Sequence, residues 1–436
     1  MATQATGFSR RGLLALGVGG AAAATLPQAA RARERTNARI VVVGAGAAGI
    51  TRAARLSHRL DGARITVIDR RERHVYQPGL TLVGSGVWTQ DKVVSTNAQW
   101  MPRGVEWVRE SVAEFDPAGN KVVTDSGRNV PYDFLVVAAG IELNYAGIAG
   151  MSEALIGREG IGSVYAGPEA AAATWRAMGR VVEAGGTLLH GRPASEMKCA
   201  GAPLKLALLS HARMARAGTR GRGEIVYNAH NNATFAVPAI HQRVVELFTE
   251  RNIRINYGHV LTAVDPGRRI ATYRTANGDV EQRYDFLHVV PPQRTPAALR
   301  NSALAWQTGP LAADGWVEAD RRTLRHPRFP NVFTVGDATG VPRGKTAASV
   351  KKMTPVATNS LVDVIAGREP RDAFNGYTSC PRITDVGRAM LIEFDYEGRL
   401  IPSFPFVDPL RESWFGWVVK DQLIHAVYDA MLGGWV

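Results

Sequence analysis

Two cysteines are the side chains in this sequence best suited to covalent redox chemistry. Cys199 and Cys380 are the only cysteines among 436 residues, too few for a disulfide framework or an iron–sulfur cluster. Cys199 follows Lys198 and stands just before a predicted helix that begins at Pro203, a residue that suits the first turn of a helix. Because a helix N-terminus and a nearby cation both lower the pKa of a thiol, we expect Cys199 to be a nucleophilic thiolate.

A structural role is the alternative for this pair. Two buried thiols or an inert disulfide would serve the fold without any chemistry, but Lys198 and the predicted position of Cys199 beside a cofactor domain favour redox chemistry. The sequence contains no Cys-x-x-Cys-His segment, so it predicts no c-type haem. The ten histidines show no metal-ligand spacing, and no metal site is predicted.

A glycine-rich turn near the start of the chain predicts a dinucleotide site. A strand of β-branched residues runs into the motif Gly-x-Gly-x-x-Gly, and its glycines are Gly44, Gly46 and Gly49. These glycines permit a tight turn, let the backbone approach a pyrophosphate and allow the following helix to pack closely on the strand. A second strand ends 20 residues after the motif in Asp69, which can accept a hydrogen bond from a ribose hydroxyl. The turn alone does not distinguish FAD from NAD.

A distant second motif favours FAD. A short strand ends in Gly336 and Asp337, and in two-domain flavoproteins such a segment places the aspartate against the ribityl chain of FAD. Between the two motifs, a strand that ends at Gly140 returns to the same domain. Together the three segments predict FAD, bound by a domain that is split in sequence.

The motifs predict an α/β protein with two Rossmann-like, dinucleotide-binding-type domains, as in a disulfide-reductase-like flavoprotein, plus a C-terminal amphipathic helical region. A chain of 436 residues has room for these parts. In chain order they are a signal peptide (1–32), a split FAD-binding domain (33–145 and 310–370), a second Rossmann-like domain that carries Cys199 (146–309) and a C-terminal region that carries Cys380 (371–436).

The second predicted domain lacks the glycine-rich turn of a nucleotide site. Its first predicted strand spans 186–191, and in pyridine-nucleotide reductases a second glycine-rich turn follows this strand and cradles NAD(P)H. Here Pro193 and Cys199 follow instead. The sequence therefore predicts that NAD(P)H does not bind and that electrons enter by another route.

The first 32 residues predict export by the twin-arginine route. Arg10 and Arg11 precede a weakly apolar stretch to Leu26, and residues 30–32 fit a small-x-small cleavage site. This route carries folded proteins, which suits a protein that loads its cofactor before export. The alternative is a disordered tail. Cleavage would remove three arginines and no acids, so the net charge would change from +13 to 13 − 3 = +10.

Basic and aromatic residues bear on the partners of the protein. The lysines and arginines are scattered, and no zinc finger or RRM-type motif is present, so a nucleic-acid partner is not predicted. The basic surface serves either solubility or attraction to an anionic membrane.

The C-terminal region is helical in pattern from Pro409 to Val436 and rich in tryptophan. It therefore favours either an interfacial membrane helix or a helix that closes the core, and no segment is long enough to span a bilayer.

Beyond about residue 38 the chain resembles the sulfide:quinone oxidoreductases, in the branch that includes the mitochondrial enzyme. Its two cysteine segments are the most distinctive parts of the resemblance. The segments that carry it are 76–78 (Tyr-Gln-Pro), 198–205 (Lys-Cys-Ala-Gly-Ala-Pro-Leu-Lys), 345–348 (Lys-Thr-Ala-Ala), 376–381 (Gly-Tyr-Thr-Ser-Cys-Pro) and 393–396 (Glu-Phe-Asp-Tyr). The twin-arginine leader differs from what a mitochondrial enzyme would carry and indicates a bacterial setting.

The resemblance implies a reaction for the cysteine pair. Hydrosulfide attacks a Cys199–Cys380 disulfide, or a trisulfide with one extra bridging sulfur, and a persulfide forms on Cys380. Cys199 then passes two electrons to FAD, reduced FAD gives them to a membrane quinone, and a small-molecule acceptor takes the sulfane sulfur. With no third cysteine available for attachment, FAD is expected to be noncovalent.

The resemblance also assigns roles to side chains near the cofactor. Lys205 and Lys345 are placed near the flavin and the cysteines, where a cation stabilises thiolate and reduced-flavin charge. Gln77 is placed at the cofactor. The quinone region is assigned to Lys420, Phe415 and Trp417. The alternative for the lysines is a solvated surface position.

Three other functions remain open at this point. A flavocytochrome sulfide dehydrogenase subunit is disfavoured, because such subunits attach FAD through a further cysteine. An NADH:quinone reductase is disfavoured by the missing second glycine-rich turn, and a non-catalytic FAD-binding or sulfur-binding protein is the third alternative. For the favoured reaction we expect peripheral attachment to the periplasmic face of the cytoplasmic membrane.

Overall fold

The computed structural model describes residues 33–436, so the predicted export signal at 1–32 lies outside the described residues. The strands of the described part are β1 Glu34–Arg35, β2 Arg39–Val43, β3 Leu60–Asp61, β4 Arg64–Ile68, β5 Arg73–Val75, β6 Val94–Thr96, β7 Glu106–Val108, β8 Val112–Asp116, β9 Lys121–Thr124, β10 Asn129–Pro131, β11 Phe134–Val137, β12 Glu142–Leu143, β13 Ile161–Gly162, β14 Gly186–Gly191, β15 Gly223–Asn228, β16 Ile253–Asn256, β17 Val260–Asp265, β18 Ile270–Thr275, β19 Gly278–Arg283, β20 Phe286–His288, β21 Gln293–Arg294, β22 Val317–Glu318, β23 Val332–Thr334, β24 Thr339–Gly340, β25 Thr378–Ser379, β26 Arg382–Asp385, β27 Arg388–Met390 and β28 Glu393–Phe394.

The α-helices of this part are α1 Ala47–Arg59, α2 Leu80–Val83, α3 Asn97–Trp100, α4 Pro168–Ala184, α5 Ala202–Arg216, α6 Pro238–Glu250, α7 Ala297–Arg300, α8 Ala347–Ile365, α9 Trp414–Val418 and α10 Ile424–Leu432. A π-helical segment, Val419–Leu423, joins α9 to α10.

A strand from the second half of the chain completes the first parallel sheet. The strand order is β23-β11-β2-β4-β7, with every pair parallel. The β2 strand is a run of buried β-branched residues, as expected for a parallel strand covered on both faces. Helix α1 packs on this sheet and against α8. Because the strands are parallel, their carboxyl ends meet at one edge, where a ligand crevice is expected.

A second parallel sheet forms from the chain between β11 and β23. Its strand order is β13-β20-β14-β15-β16, and α4, α5 and α6 pack against its strands. An antiparallel meander, β17-β18-β19, follows β16. The predicted α/β fold class with two Rossmann-like domains is therefore confirmed.

Helix α5 connects the second sheet to the C-terminal region. β26 packs against α5, and this contact brings Cys380, which precedes β26, to the start of the helix. Cys199 lies three residues before α5 begins at Ala202. The two cysteines are distant in sequence and meet because both belong to segments fixed by this one helix.

The C-terminal helical region is shorter than the sequence predicts. The prediction of helix from Pro409 to Val436 is wrong at both ends, since helix begins at Trp414 and ends at Leu432. The backbone of Ser413 pairs with β27, and its hydroxyl accepts a hydrogen bond from the Gly416 N–H at 2.9 Å, so the helix starts after it. Two glycines follow Leu432 and end the helix. Within 33–436 no helix is long and apolar enough to cross a membrane.

Candidate active site

Three loops converge at the carboxyl edge of the first sheet. They follow β2, β11 and β23, and glycines allow them to touch. A methyl group on Gly44 would collide with the carbonyl of Ala138, and one on Gly49 would collide with the carbonyl of Gly44. Gly336 has a φ of +81° and packs against the side chain of Ala48 in α1. The close packing of helix and strand therefore depends on these glycines.

The N-terminus of α1 opens into this crevice. Gly46 caps the helix without a side-chain hydrogen bond, and no atom lies within 4 Å of the position that its Cβ would occupy. Gly140 has a φ of +70° and is also open on its Cβ side. Unpaired N–H groups at a helix start, with free space before them, suit a phosphate. The residues at this edge therefore fit a dinucleotide such as FAD.

Asp69 lies beside the glycine-rich turn. Its carboxylate accepts a hydrogen bond from the Ala45 N–H at 2.6 Å and pairs with Arg71, whose Nη2 is also 2.6 Å away. Burial opposes ionisation, but the hydrogen bonds from Arg71 and Ala45 lower the pKa of Asp69 below its ordinary value. Arg71 was not singled out from the sequence. Its guanidinium is largely exposed, and it shares the carboxylate that we expected to bind a ribose.

Lys345 is buried beneath the loop that carries Asp337. Its Nζ donates hydrogen bonds to the carbonyl oxygens of Asp337 and Thr339, both at 2.9 Å, and lies 3.7 Å from the ring centroid of Trp316. Burial lowers the pKa of Lys345 to about 8, and burial raises the pKa of the Asp337 carboxyl. The alternative of a solvated surface lysine is wrong for this residue.

The two cysteines meet at the start of α5. Both are free thiols that share a hydrogen bond, with Cys199 half-buried and Cys380 buried. Cys199 has a φ of +48°, an uncommon conformation for a residue with a side chain. Its N–H donates to the carbonyl of Lys345 at 2.9 Å, and its carbonyl accepts from the Tyr165 hydroxyl at 3.2 Å. These contacts tie the turn of Cys199 to the loop of the first domain.

The negative charge of the pair belongs on Cys380. The hydrogen bond from Cys199 lowers the pKa of Cys380 well below its ordinary value and raises the pKa of Cys199. Lys205, Arg382 and the Gly201 N–H also favour the thiolate of Cys380. This direction differs from the thiolate expected at Cys199, which stays a prediction. The N–H of Gly201, at the start of α5, is directed at the sulfur of Cys380.

Lys205, rather than Lys198, is the cation at the sulfur atoms. The Nζ of Lys205 lies 3.8 Å from the Sγ of Cys199, and its side chain is buried, so it is not a surface lysine. Burial opposes its charge, but the two cysteine sulfurs raise the pKa of Lys205. Lys198 points elsewhere, and its Nζ donates to the Oε1 of Gln77 at 2.6 Å.

Lys420 reaches the same interior from the C-terminal region. It is buried in the π-helical segment, and its Nζ donates to the carbonyl of Pro78 at 2.9 Å. Burial lowers the pKa of Lys420 to about 7. Tyr76 lies beneath it, with the ring centroid 5.7 Å from the Nζ, and the ring of His425 stacks on Tyr76 at 4.1 Å. Lys420 and these two rings therefore form a polar–aromatic cluster.

Phe415 has its ring contacts away from Lys420. Phe415 packs against Phe404 and Phe406 at centroid distances of 5.2 and 6.1 Å, and Phe406 is exposed. Trp417 is half-buried against the core. Of the three residues assigned to the quinone region, Lys420 contacts Tyr76 and Phe415 packs elsewhere.

Sequence reasoning missed Arg382, Tyr165 and His425. For Arg382 a signal was present, because residues two apart in an extended segment point to the same face, and Arg382 follows Cys380 by two. Tyr165 reaches Cys199, and His425 reaches Tyr76, only through long-range packing, so no local sequence pattern indicates either residue.

Comparisons with known proteins give a matching family and relatives that cover most of the chain. The family model described as pyridine nucleotide-disulphide oxidoreductase matches residues 38–354. The chain is 34% identical to the mitochondrial sulfide:quinone oxidoreductase of Mus musculus, over 91% of this chain and 86% of that one. It is 31% identical to the mitochondrial sulfide:quinone oxidoreductase of Dictyostelium discoideum, again over 91% and 86% of the two chains.

A solved structure shows a similar fold. It is that of the sulfide:quinone oxidoreductase from the hyperthermophilic bacterium Aquifex aeolicus, with a TM-score of 0.76. The similarity covers 91% of this chain and 92% of that chain at 22% sequence identity, so it bears on the fold alone.

Proposed function

The chain belongs to the sulfide:quinone oxidoreductases, within the pyridine nucleotide-disulphide oxidoreductase family, and we propose that it oxidises sulfide at Cys199 and Cys380 and delivers the electrons through FAD to quinone. The cofactor is FAD, as the sequence predicts and the family implies. The observation that carries the proposal is the meeting of the two cysteines at the start of α5, with the Cys199 N–H bonded to the Lys345 carbonyl of the cofactor domain.

The residues that would hold FAD line the crevice of the first sheet. The open start of α1 at Gly46 suits the pyrophosphate, and Asp69 and the loop of Asp337 lie on either side of it. When bound there, FAD accepts two electrons from the dithiol side and releases them to the quinone side. Its noncovalent attachment remains a prediction, and acid precipitation tests it, because noncovalent flavin is released to the supernatant and a yellow pellet would contradict it.

The sulfur chemistry starts from the oxidised pair. Hydrosulfide forms a bond to the Sγ of Cys380 as the Cys199–Cys380 bond breaks, and Cys199 leaves as a thiolate with the bonding electron pair. Lys205, at 3.8 Å from the Cys199 sulfur, stabilises that thiolate. Tyr165 and Lys345 hold the backbone of Cys199, and so fix the direction in which the thiolate points.

The position of α5 disfavours an NADH-dependent reaction. In a dinucleotide domain the helix after the first strand directs its N-terminus at a pyrophosphate. Here the Gly201 N–H at that terminus is directed at Cys380. The site that NADH would need is therefore used for sulfur chemistry, which supports sulfide as the electron donor.

The polar–aromatic cluster of Lys420, Tyr76 and His425 suits a quinone site. Reduction of a quinone takes up two protons, and Lys420 can donate one near neutral pH because burial lowers its pKa to about 7. Tyr76 and His425 supply flat faces on which a ring can lie. We propose that the quinone head group enters beside Lys420.

We propose further that the protein lies on the periplasmic face of the cytoplasmic membrane. Large hydrophobic side chains are exposed in its last 31 residues: Phe406 (78% exposed), Trp414 (62%), Trp435 (74%), Leu423 and Val427. Exposed aromatic side chains in one region of the chain suit attachment at a membrane interface. The twin-arginine pattern at 1–32 supports export, and immunodetection of the processed chain in periplasmic membrane fractions tests it.

The decisive experiment is an anaerobic titration of the purified flavoprotein. We expect sulfide to bleach the flavin absorbance, NADH to leave it unchanged, and added quinone to restore it. Cys380→Ser provides the matched control, since it should keep the flavin but lose the response to sulfide. Bleaching by NADH, or by sulfide in Cys380→Ser at the native rate, would contradict the proposed function.

A further inference from the structure

Arg382 is a buried cation that makes no hydrogen bond among the described residues. Its side chain is 0% exposed, and none of its three guanidinium nitrogens makes a hydrogen bond or an ion pair within 33–436. Its one close contact of note is the ring of Phe235, whose centroid lies 5.0 Å from the Cζ. Among the described residues the Cys380 thiolate is the group whose charge offsets that of Arg382 most, and this charge is absent when Cys380 is bonded to Cys199. A buried guanidinium without an anion is costly, so the arrangement indicates an anion that binds there during the reaction.

The position of Arg382 identifies where that anion must lie. A methyl group on Gly201 would collide with the Sγ of Cys380 and would lie 3.2 Å from the Nη2 of Arg382. The sulfur and the guanidinium therefore flank the same point at the start of α5. The Gly201 N–H is also directed at the sulfur, and the charge of Lys205 acts on it. Two cations and one N–H group therefore surround Cys380.

The charge of this pocket changes with the state of the pair. In the dithiol form, a Cys380 thiolate balances Arg382. When Cys380 is bonded to Cys199 the sulfurs are neutral, and Arg382 and Lys205 face no anion among the described residues. Hydrosulfide brings one negative charge into this pocket, and the persulfide that it forms keeps a negative charge on its outer sulfur.

We propose that Arg382 is the binding site for the anionic terminal sulfur of a persulfide on Cys380, an inference that rests on the function proposed above. As the new bond forms to Cys380 and the bond to Cys199 breaks, hydrosulfide loses two electrons, the disulfide gains them, and one proton leaves. The products are the Cys380 persulfide anion and the Cys199 thiolate. Arg382 takes the first charge and Lys205 the second.

Two further buried groups near Arg382 lack a hydrogen-bond partner. They are the hydroxyl of Tyr227 and the Nε of Arg192. The charges of Arg192 and Arg382 both act on Tyr227, so further unpaired polar groups lie near the proposed anion.

The experiment uses the full-length holoenzyme and three variants. Arg382→Met removes the charge, Arg382→Lys keeps a compact charge, and Arg52→Met controls for loss of a buried guanidinium, because Arg52 is also 0% exposed and partly unpaired but lies in α1. The FAD content and the thermal midpoint report folding. Each protein reacts with sulfide without an acceptor, and mass spectrometry with cyanolysis then measures the persulfide on the Cys380 peptide over time.

We expect persulfide formation on Cys380 to be about 100-fold slower in Arg382→Met, the loss typical for one donor to a developing anion. Arg382→Lys should recover part of the rate and remain about 10-fold slow, since lysine offers one compact donor in place of a planar fork. Arg52→Met should form persulfide at the native rate, whatever its thermal midpoint. Should Arg382→Met lack FAD or a folded transition, Arg382→Lys and the wild type carry the comparison.

Two results would overturn the inference alone. One is a native rate of persulfide formation in a folded Arg382 variant, and the other is a persulfide found on Cys199 instead of Cys380 in the wild type. A wild-type protein that does not react with sulfide would overturn the proposed function, and this inference with it. A wild type that reacts with sulfide, together with an Arg382→Met variant that forms persulfide at the native rate, would therefore overturn the inference and leave the proposed function standing.

Discussion

The turn after β2 and the turn after β14 occupy equivalent places in their two sheets but serve different chemistry. Each follows a strand of a parallel sheet and leads into a helix that packs beside it. After β2 the helix start at Gly46 is open. After β14 the helix start at Gly201 is filled by the sulfur of Cys380. The same strand–turn–helix unit thus presents N–H groups to a phosphate in one domain and to a thiolate in the other.

The comparison teaches that the loop, rather than the sheet, determines the ligand. Three glycines shorten the first turn and hold α1 against the strands, which leaves space for a cofactor. The second turn is longer and carries Cys199 in a left-handed conformation. Because β26 packs against α5, a partner from the C-terminal region fills the place of a nucleotide. Function lies in sites built on a common fold.

The largest expected effect comes from removing either sulfur at the second turn. Cys199→Ser and Cys380→Ser should each slow sulfide-dependent flavin reduction at least about 1000-fold, because no other thiol exists to carry the sulfur. FAD should stay bound, since the cofactor crevice lies at the first turn. Stopped-flow absorbance measures the rate, and a variant that turns over near the native rate would remove the second turn from the mechanism.

A smaller effect is expected at the first turn. In Gly46→Ala the added methyl group meets no protein atom within 4 Å, so the fold should be unaffected. It would point into the space that a pyrophosphate needs, and a clash of about 3 kcal/mol would weaken FAD binding about 100-fold. Fluorescence titration of the deflavinated protein measures the affinity. Gly221→Ala, also in open space, is the matched control and should bind FAD normally.

Equal loss of FAD in Gly46→Ala and Gly221→Ala would indicate a general effect on folding. Unchanged affinity in Gly46→Ala would mean that the pyrophosphate lies away from the start of α1, and the contrast between the two turns would then fail at its first member.

Much of this contrast was predictable from the sequence, and the rest depends on long-range packing. The glycine motif, Asp69 and the absence of a second glycine-rich turn are local patterns, so the cofactor and the fold class followed from them. The charge of the cysteine pair did not follow. Adjacency in sequence suggested Cys199 as the thiolate and Lys198 as its cation. The hydrogen bond from Cys199, followed by the charges of Lys205 and Arg382, instead favours the charge on Cys380.

The lysines show the same limit. Lys205 is one turn into α5, so its approach to the sulfur could be inferred from the helix. Lys420 lies in a π-helical segment, and no hydrophobic periodicity in the sequence predicts such a segment. Phe415 lies five residues from Lys420 and looked equivalent in sequence, but it packs on the outer side with Phe404.

The pH dependence of quinone reduction tests the role of Lys420 separately from the chemistry of the cysteine pair. Lys420 has a pKa of about 7 in the folded protein, so it is protonated below pH 7 and neutral above it. If it supplies a proton, quinone reduction by reduced enzyme should fall about tenfold per pH unit above pH 7. Lys420→Arg should stay charged and remove that fall. Steady quinone reduction from pH 7 to 9 in the wild type would exclude Lys420 as the donor.

The smallest expected effect concerns the exposed C-terminal region. The packing of this region decides which variants can test it. Removal of the whole region from Trp414 would also delete the core residues Tyr428 and Leu432 together with Lys420, so it would report folding rather than membrane binding. Single substitutions of exposed side chains avoid this problem. Trp414 is 62% exposed and contributes little to the core, so Trp414→Ser should leave the thermal midpoint unchanged.

If the exposed aromatic side chains enter the membrane interface, Trp414→Ser should weaken binding to anionic liposomes about 10-fold, because burial of one large apolar side chain contributes roughly 1.5 kcal/mol or more. Tyr257→Ser is the matched control, since Tyr257 is 40% exposed but belongs to the second domain, and it should bind like the wild type. Salt should weaken both proteins alike through the basic surface. Sedimentation with liposomes measures binding. Reduction of a long-chain quinone in the same liposomes should fall in proportion, while sulfide still bleaches the flavin.

Equal binding of Trp414→Ser and Tyr257→Ser would mean that charge alone attracts the protein to lipid. The quinone would then have to reach Lys420 without help from the exposed aromatic side chains of the C-terminal region.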